Sequence, residues 1–272
     1  MTKRRRGNPL LLWGACLFTL PLHATPVRHG NEFTPTKGDH WLQARWGFFG
    51  HYVFDGYFSV LENNAKIHDS RFMTNAGELT LNLFERWDLQ AGLGAIKIDF
   101  FSNLSPFYAS GTFRNSALAL DFSSALYWNA GINGSLFKFG PASFGVGYFY
   151  EAAHPKLNAV RDEFRGVTHY QDIRGDYYGW EIMGGVDVDI PLSQTFTFRP
   201  VGSFNFTYGR LDLPEHNVQL EGNTTITLQD MWSGYTWGYA IGASLSGGPL
   251  SITGQAGFIS ELSAFFGFQL NF

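Results

Sequence analysis

The chain has 272 residues, of which 44% are hydrophobic, 17% aromatic and only 15% charged, with 32 glycines and a formal net charge of −4. A soluble domain carries about 25% charged residues, so this surface is too poor in charge for an ordinary water-soluble protein, while a mean hydropathy of −0.10 is too polar for a bundle of membrane helices. Abundant aromatics with little net charge exclude a disordered chain, and the combination points to an outer-membrane β-barrel.

Residues 1–24 read as a secretory leader. Lys3, Arg4, Arg5 and Arg6 make a basic start, and Leu10 to Leu22 form an apolar run too short to span a bilayer well. Ala24 supplies the small residue that cleavage needs. Twin-arginine export fits less well, because Gly-Asn-Pro follows Arg5-Arg6. Lipid attachment at Cys16 fits less well, because Trp13 stands where a small aliphatic residue is wanted. The leader holds four of the 19 basic residues and none of the 23 acidic ones, so 15 face 23 in the remainder, a formal −8. Such a balance does not suit nucleic acid, whose phosphates require clustered Lys and Arg. The single Cys leaves with the leader, which removes disulfides and thiolate chemistry from the mature chain. Residues 25–39 read as an N-terminal periplasmic segment and 40–272 as the barrel.

No later stretch reaches the roughly eighteen apolar residues of a membrane helix. In lipid only helices and closed barrels satisfy every backbone group, so the barrel remains. Its strands should alternate between an apolar, lipid-facing side and a polar, lumen-facing side. From Trp41 to Phe58, Leu42, Ala44, Trp46, Phe48, Tyr52, Phe54 and Phe58 share one face. Gln43, Arg45, Gly47, His51 and Asp55 share the other. Further along, Leu79, Leu81 and Leu83 alternate with Glu78, Thr80 and Asn82, and Trp87, Leu89, Ala91 and Leu93 alternate with Asp88, Gln90, Gly92 and Gly94. Leu126, Trp128, Ala130 and Ile132 oppose Asn129, Gly131 and Asn133, then Phe144, Val146, Tyr148 and Tyr150 oppose Ser143, Gly145, Gly147 and Glu151. Trp180, Ile182, Val186 and Val188 oppose Glu181, Gly185, Asp187 and Asp189. Phe204, Phe206 and Tyr208 oppose Arg199, Ser203, Asn205 and Thr207. The run from Trp237 to Leu245 and the segments 250–259 and 263–272 complete the series.

Short turns at Glu85-Arg86, Lys138 to Pro141, Pro191 to Gln194 and Gly247 to Pro249 alternate with long loops at 59–71, 99–124, 152–176 and 211–234, with Ser260-Glu261 as a short exception. Short periplasmic turns and long external loops are the pattern of outer-membrane barrels. The expected architecture is an all-β, antiparallel transmembrane barrel of about ten strands. Ala117 to Phe122 and Thr224 to Leu228 could raise the number to twelve or more. A final alternating aromatic strand ending in Phe272 reads as the signal that engages the barrel-assembly machinery.

Four stretches resemble the major outer membrane porins of the Chlamydiae. They are Ala44 to Asp55 with its Gly-aromatic-aromatic-Gly and Val-Phe-Asp elements, Phe72 to Ala76 followed by Leu81 to Asp88, Trp128 to Pro155, and the C-terminal pair from Trp237 to Phe272. The resemblance implies an outer-membrane porin, and trimerisation follows from it alone. This chain departs from the family in lacking Cys beyond the leader and in its smaller barrel, so the cross-linking role is not carried over. A smaller barrel also has a narrower interior, since about eight strands are filled by side chains and sixteen to eighteen leave an aqueous pore.

Catalysis would need an activated nucleophile. His51 is the histidine placed squarely on a strand's polar face. Asp55, on the same face, lies about 13 Å along the strand, too far for a hydrogen-bonded dyad. No enzyme is expected. His154, Asp162, Glu163, His169 and Asp172 could hold a divalent ion, but a solvated external loop explains them as well. No cofactor motif is present. The informative set is the lumen-facing charge: Asp55, Glu78, Asp88, Glu151, Glu181, Asp187 and Asp189 against Arg45 and Arg199, with His51 beside them. Carboxylates in a pore favour cations, so the expectation is a water-filled, weakly cation-preferring diffusion channel for small polar solutes. The alternative is a structural or adhesin-like surface barrel with a largely closed lumen.

Overall fold

The computed structural model describes residues 42–62, 66–84, 86–103, 107–110, 117–220, 224–258 and 261–271. The expected leader at 1–24, the expected periplasmic segment at 25–39 and the expected assembly signal at Phe272 lie outside the described residues. In chain order the strands are β1 (Leu42–Val60), β2 (Lys66–Leu83), β3 (Trp87–Asn103), β4 (Tyr108–Ser110), β5 (Ala117–Phe122) and β6 (Ala125–Phe139). They continue with β7 (Ala142–Ala153), β8 (Lys156–Asp162), β9 (Val167–Arg174), β10 (Asp176–Val188), β11 (Ile190–Pro191) and β12 (Phe196–Asp212). The last are β13 (His216–Leu220), β14 (Thr224–Leu228), β15 (Met231–Gly247), β16 (Leu250–Phe258) and β17 (Glu261–Asn271).

Ten of these close into one antiparallel ring, β1–β2–β3–β6–β7–β10–β12–β15–β16–β17, with β17 pairing back onto β1. The alternation explains the ring. Outward positions such as Trp46, Leu79, Leu93, Leu126, Ile182, Ile241 and Phe266 are exposed and apolar, as lipid requires. On β12 and β15 they form a packed aromatic ladder, with Phe206 and Trp237 centroids 4.4 Å apart and Phe204 and Trp237 4.6 Å apart. At one end the ring is closed by tight turns, two of them using glycines in the left-handed region, Gly140 at φ 60° and Gly248 at φ 56°. An L side chain is strained there and glycine is not.

Three findings differ from the sequence expectation. First, the strands run further. β1 has 19 residues and β12 has 17, whereas about 9–11 cross a bilayer. The wall therefore continues well beyond the membrane on the long-loop side. There the pattern inverts, because outward positions now meet water: Arg71, Lys97 and Asp99 point out while Phe72, Ile96, Ile98 and Phe100 are buried inside. Second, a bulge in β1 between Val53 and Asp55 shifts the register. Asp55 then opposes the exposed Leu262 and shares its outward face, while Phe58 turns inward and is 1% exposed. Third, Ala117–Phe122 and Thr224–Leu228 are strands, but neither belongs to the ring. β5 continues β3 into an external sheet with β8 and β9, and β14 pairs with β13 and β4.

The hydrophobic core sits inside this external half. Phe58, Phe72, Phe100 and Phe122 form a chain of rings with centroids 5.4 to 5.9 Å apart, joined by Tyr177 at 5.7 Å from Phe72. Ile67, Leu118, Leu157, Val160, Leu211, Val218 and Ile226 complete the cluster. The short β16–β17 hairpin does not reach this height, and β1 pairs directly with β15 through Ser59–Trp232 and Val60–Met231.

Candidate functional site: the barrel lumen

Cross-strand register stacks the inward residues into layers. Nearest the tight turns, Asn82, Asp88 and Asn133 lie side by side on β2, β3 and β6. The next layer holds Thr80, Gln90, Gly131, Phe149 and Glu181, and the one above holds Glu78, Gly92, Asn129, Glu151 and Gly179. Above that come Ala76, Gly94, Tyr127, Ala153 and Tyr177, where the apolar cluster begins. The lumen is thus divided into a polar shaft and an apolar external cap.

Arg45, His51, Glu78, Asp88, Glu181 and Asp187 all face inward and are buried, Asp187 at 0% and Glu181 at 3% exposure. Charge at such burial requires partners. Arg45 forms an ion pair with Asp88, whose carboxylate also accepts a hydrogen bond from Asn82 Nδ2 at 2.7 Å. Asn205 Nδ2 donates to Glu181 Oε1 at 2.7 Å. Asp189 and Arg199 lie at the tight-turn end, where Arg199 Nε donates to Asp189 Oδ1 at 2.7 Å and Lys138 Nζ reaches Asp189 Oδ2 at 3.3 Å. His51 is flanked across the strands by Thr74 and Phe265.

Asp55 is the member of the inward set that the structure removes, because the β1 bulge turns it outward. The same bulge puts His51 and Asp55 on opposite faces of the wall, which separates the two groups of the sequence-level dyad. The loop residues do not converge either. His154 Nδ1 is 2.7 Å from Asp176 Oδ1, Asp162 accepts from the backbone N–H groups of Phe164 and Arg165, and Glu163 meets Arg161 at 3.4 Å. Asp172 meets Lys156 at 2.8 Å, and that ammonium holds its carboxyl below the ordinary value. Among the described residues no three His, Asp or Glu groups are placed to hold a metal.

Two features of the lumen escaped the sequence reading. Glu151 accepts hydrogen bonds from Tyr127 at 2.8 Å and from Tyr177 at 2.6 Å, at the base of the cap. Phe149, Met183 and Val201 form a small apolar cluster within the shaft. The one available signal was the run Tyr148-Phe149-Tyr150, where an apolar residue occupies a polar phase.

A closed antiparallel ring with an apolar outer band and a polar inner wall defines a β-barrel of the outer membrane. No family model matches the chain. It is 24% identical over 164 residues to the major outer membrane porin of Chlamydia pneumoniae, covering 44% of this chain and 42% of that protein. It is 24% identical over 247 residues to the major outer membrane porin of Chlamydia abortus, covering 65% and 63%. The chain therefore matches less than two thirds of the length of these relatives. Among solved structures, an outer membrane channel from Pseudomonas putida F1 aligns over 90% of this chain and 100% of its own, at 10% identity and a TM-score of 0.41.

Proposed function

We propose that the chain is a narrow outer-membrane channel for ions and small polar solutes, with a weak preference for cations. The observation that carries this reading is the charge on the inner wall. Glu78, Asp88, Glu151, Glu181 and Asp187 stand against Arg45 and Arg199. Ionisable groups at membrane depth are costly and mark ion or solute pathways by default. The excess of carboxylates favours cations, and the likeness to proteins named as porins supports the same class. Trimer formation is part of this proposal.

The external cap favours a second reading. Its rings pack across the external half of the lumen, an arrangement that suits a closed barrel displaying its external sheets. Single-channel recording in a planar bilayer separates the two, using the full chain alongside Phe72→Ala and Phe100→Ala. Conductance steps with a reversal potential shifted toward potassium support the channel. Anion preference overturns the cation assignment. Silence of the wild type and of both cap variants overturns the channel and leaves the closed barrel.

A further inference from the structure

Beside its charged pairs, the shaft holds neutral hydrogen-bonding groups that ion passage does not use. Asn82, Gln90 and Asn133 are 0%, 6% and 1% exposed. Both amide atoms of Asn133, Gln90 Oε1, Asn82 Oδ1 and the Nε of Arg45 have no hydrogen-bond partner among the described residues. These groups are neighbours: Asn82 pairs across the ladder with Asp88 and Asp88 with Asn133, while Gln90 follows Asp88 by one inward position. Buried polar groups are normally satisfied, so a cluster of unpaired donors and acceptors at one place points to a ligand.

The chemistry of the cluster limits what that ligand is. Arg45 and Asp88 neutralise one another, so the local charge favours neither cation nor anion. What is offered is a mixture of amide acceptors and donors. The adjoining wall is apolar. A Cβ added at Gly147 would lie 2.9 Å from Met183 Cγ, 3.1 Å from Phe149 Cε2 and 3.2 Å from Asn133 Cβ. The side chains of Met183, Phe149 and Asn133 therefore meet over that glycine. At Gly131 a Cβ would fall 2.1 Å from Phe149 Cδ1, so the ring occupies the space that a side chain would take there. A molecule with hydroxyls along its edges and C–H groups on its faces satisfies both surfaces at once.

We propose that Asn82, Gln90 and Asn133, with Phe149 as the apolar face, form a binding station for a neutral polyol in the glycerol-to-sugar class. This deepens the channel reading and rests on it, since it assigns the solute that the shaft holds on its way through.

The test uses the full chain in liposomes. Swelling rates with glycerol, erythritol and arabinose are compared with potassium conductance for the wild type and for Asn133→Ala combined with Gln90→Ala. Heat-modifiable gel migration confirms that the variant is folded. The polyol-to-potassium permeability ratio is expected to fall by about 5-fold or more, the loss of one to two hydrogen bonds. An unchanged ratio in a folded variant overturns the station. If the wild type passes neither solute, the channel reading fails instead, and glycerol titration of the detergent-folded protein decides the station separately. Saturable shifts of the Asn133 side-chain amide resonances support it, and their absence overturns it.

Discussion

The Tyr177 hydroxyl donates to Glu151 Oε1 at 2.6 Å, and this contact joins the two halves of the lumen. Tyr177 is 2% exposed and packs in the apolar cap, while Glu151 belongs to the uppermost polar layer. With Tyr127 bonding the other carboxylate oxygen, one side chain on β7 satisfies phenols from β6 and β10. Glu151→Ala strands both hydroxyls in an apolar setting. It is expected to destabilise the barrel by about 3–6 kcal/mol, given that hydrogen bonds to charged groups are worth about 1.5–3 kcal/mol each. Urea unfolding in detergent, followed by tryptophan fluorescence, measures it. Tyr177→Phe removes one bond and should cost about half as much.

The cap is the second target. Phe72 and Phe100 are 1% and 0% exposed, and truncating a buried Phe to Ala costs about 3–5 kcal/mol. Phe100→Ala should therefore lower the unfolding midpoint and widen the external end of the lumen together. Dye-release or conductance rising as stability falls is the expected pairing.

The Arg45–Asp88 pair offers a sharper contrast. Removing one partner leaves a buried charge unpaired, so Arg45→Ala is expected to cost about 3–5 kcal/mol. Replacing both, Arg45→Met with Asp88→Leu, should be close to neutral in stability, because the desolvation penalty disappears with the pair. Denaturation midpoints of the single and double variants check this.

Glycines within the wall are not equivalent. A Cβ at Gly94 would lie 2.1 Å from the carbonyl oxygen of Asn75 and 2.5 Å from Ala76 Cα, whereas one at Gly202 meets nothing within 4 Å. Backbone cannot yield as a side chain does, so Gly94→Ala should cost about 1–3 kcal/mol or more. Gly202→Ala should be neutral or stabilising by about 0.4–1 kcal/mol through reduced freedom of the unfolded chain. Parallel unfolding curves distinguish them.

In the external hairpin, the Lys156 ammonium holds Asp172 below its ordinary value of 3.8. A depressed folded value means that the contribution is present above pH 3.8 and is lost as pH falls through the lowered value. Protection of the amides in β8 and β9, relative to their intrinsic exchange, should fall over that acid range, and Lys156→Met should weaken the pH dependence, leaving the smaller effect of Arg174. Exchange measured by nuclear magnetic resonance follows it directly.

Much of the wall was legible residue by residue. Trp87, Leu89 and Leu93 against Asp88, Gln90 and Gly92 needed only a period of two and a choice between lipid and lumen. The site was legible as a list of inward charges, from Arg45 to Arg199. Asp55 failed because a bulge adds a residue to one strand without leaving a mark in the alternation. The cap was missed because beyond the bilayer the rule reverses. Arg71 and Lys97 face water there, so Phe72 and Ile98 take the inside, and the continuations of these strands at 66–71 and 99–103 fall within the expected loops 59–71 and 99–124.

The sequence by itself determined the class, because lipid imposes alternation on every strand that crosses it and leaves few glycine- and aromatic-rich alternatives. Only the tertiary structure decided what the lumen contains. Whether an inward side chain faces water, an ion partner or another ring depends on residues one or two strands away in the ring. Arg45 on β1 and Asp88 on β3 lie 43 positions apart, Tyr177 on β10 and Glu151 on β7 lie 26 apart, and the pairing and register of the intervening strands bring each pair into contact.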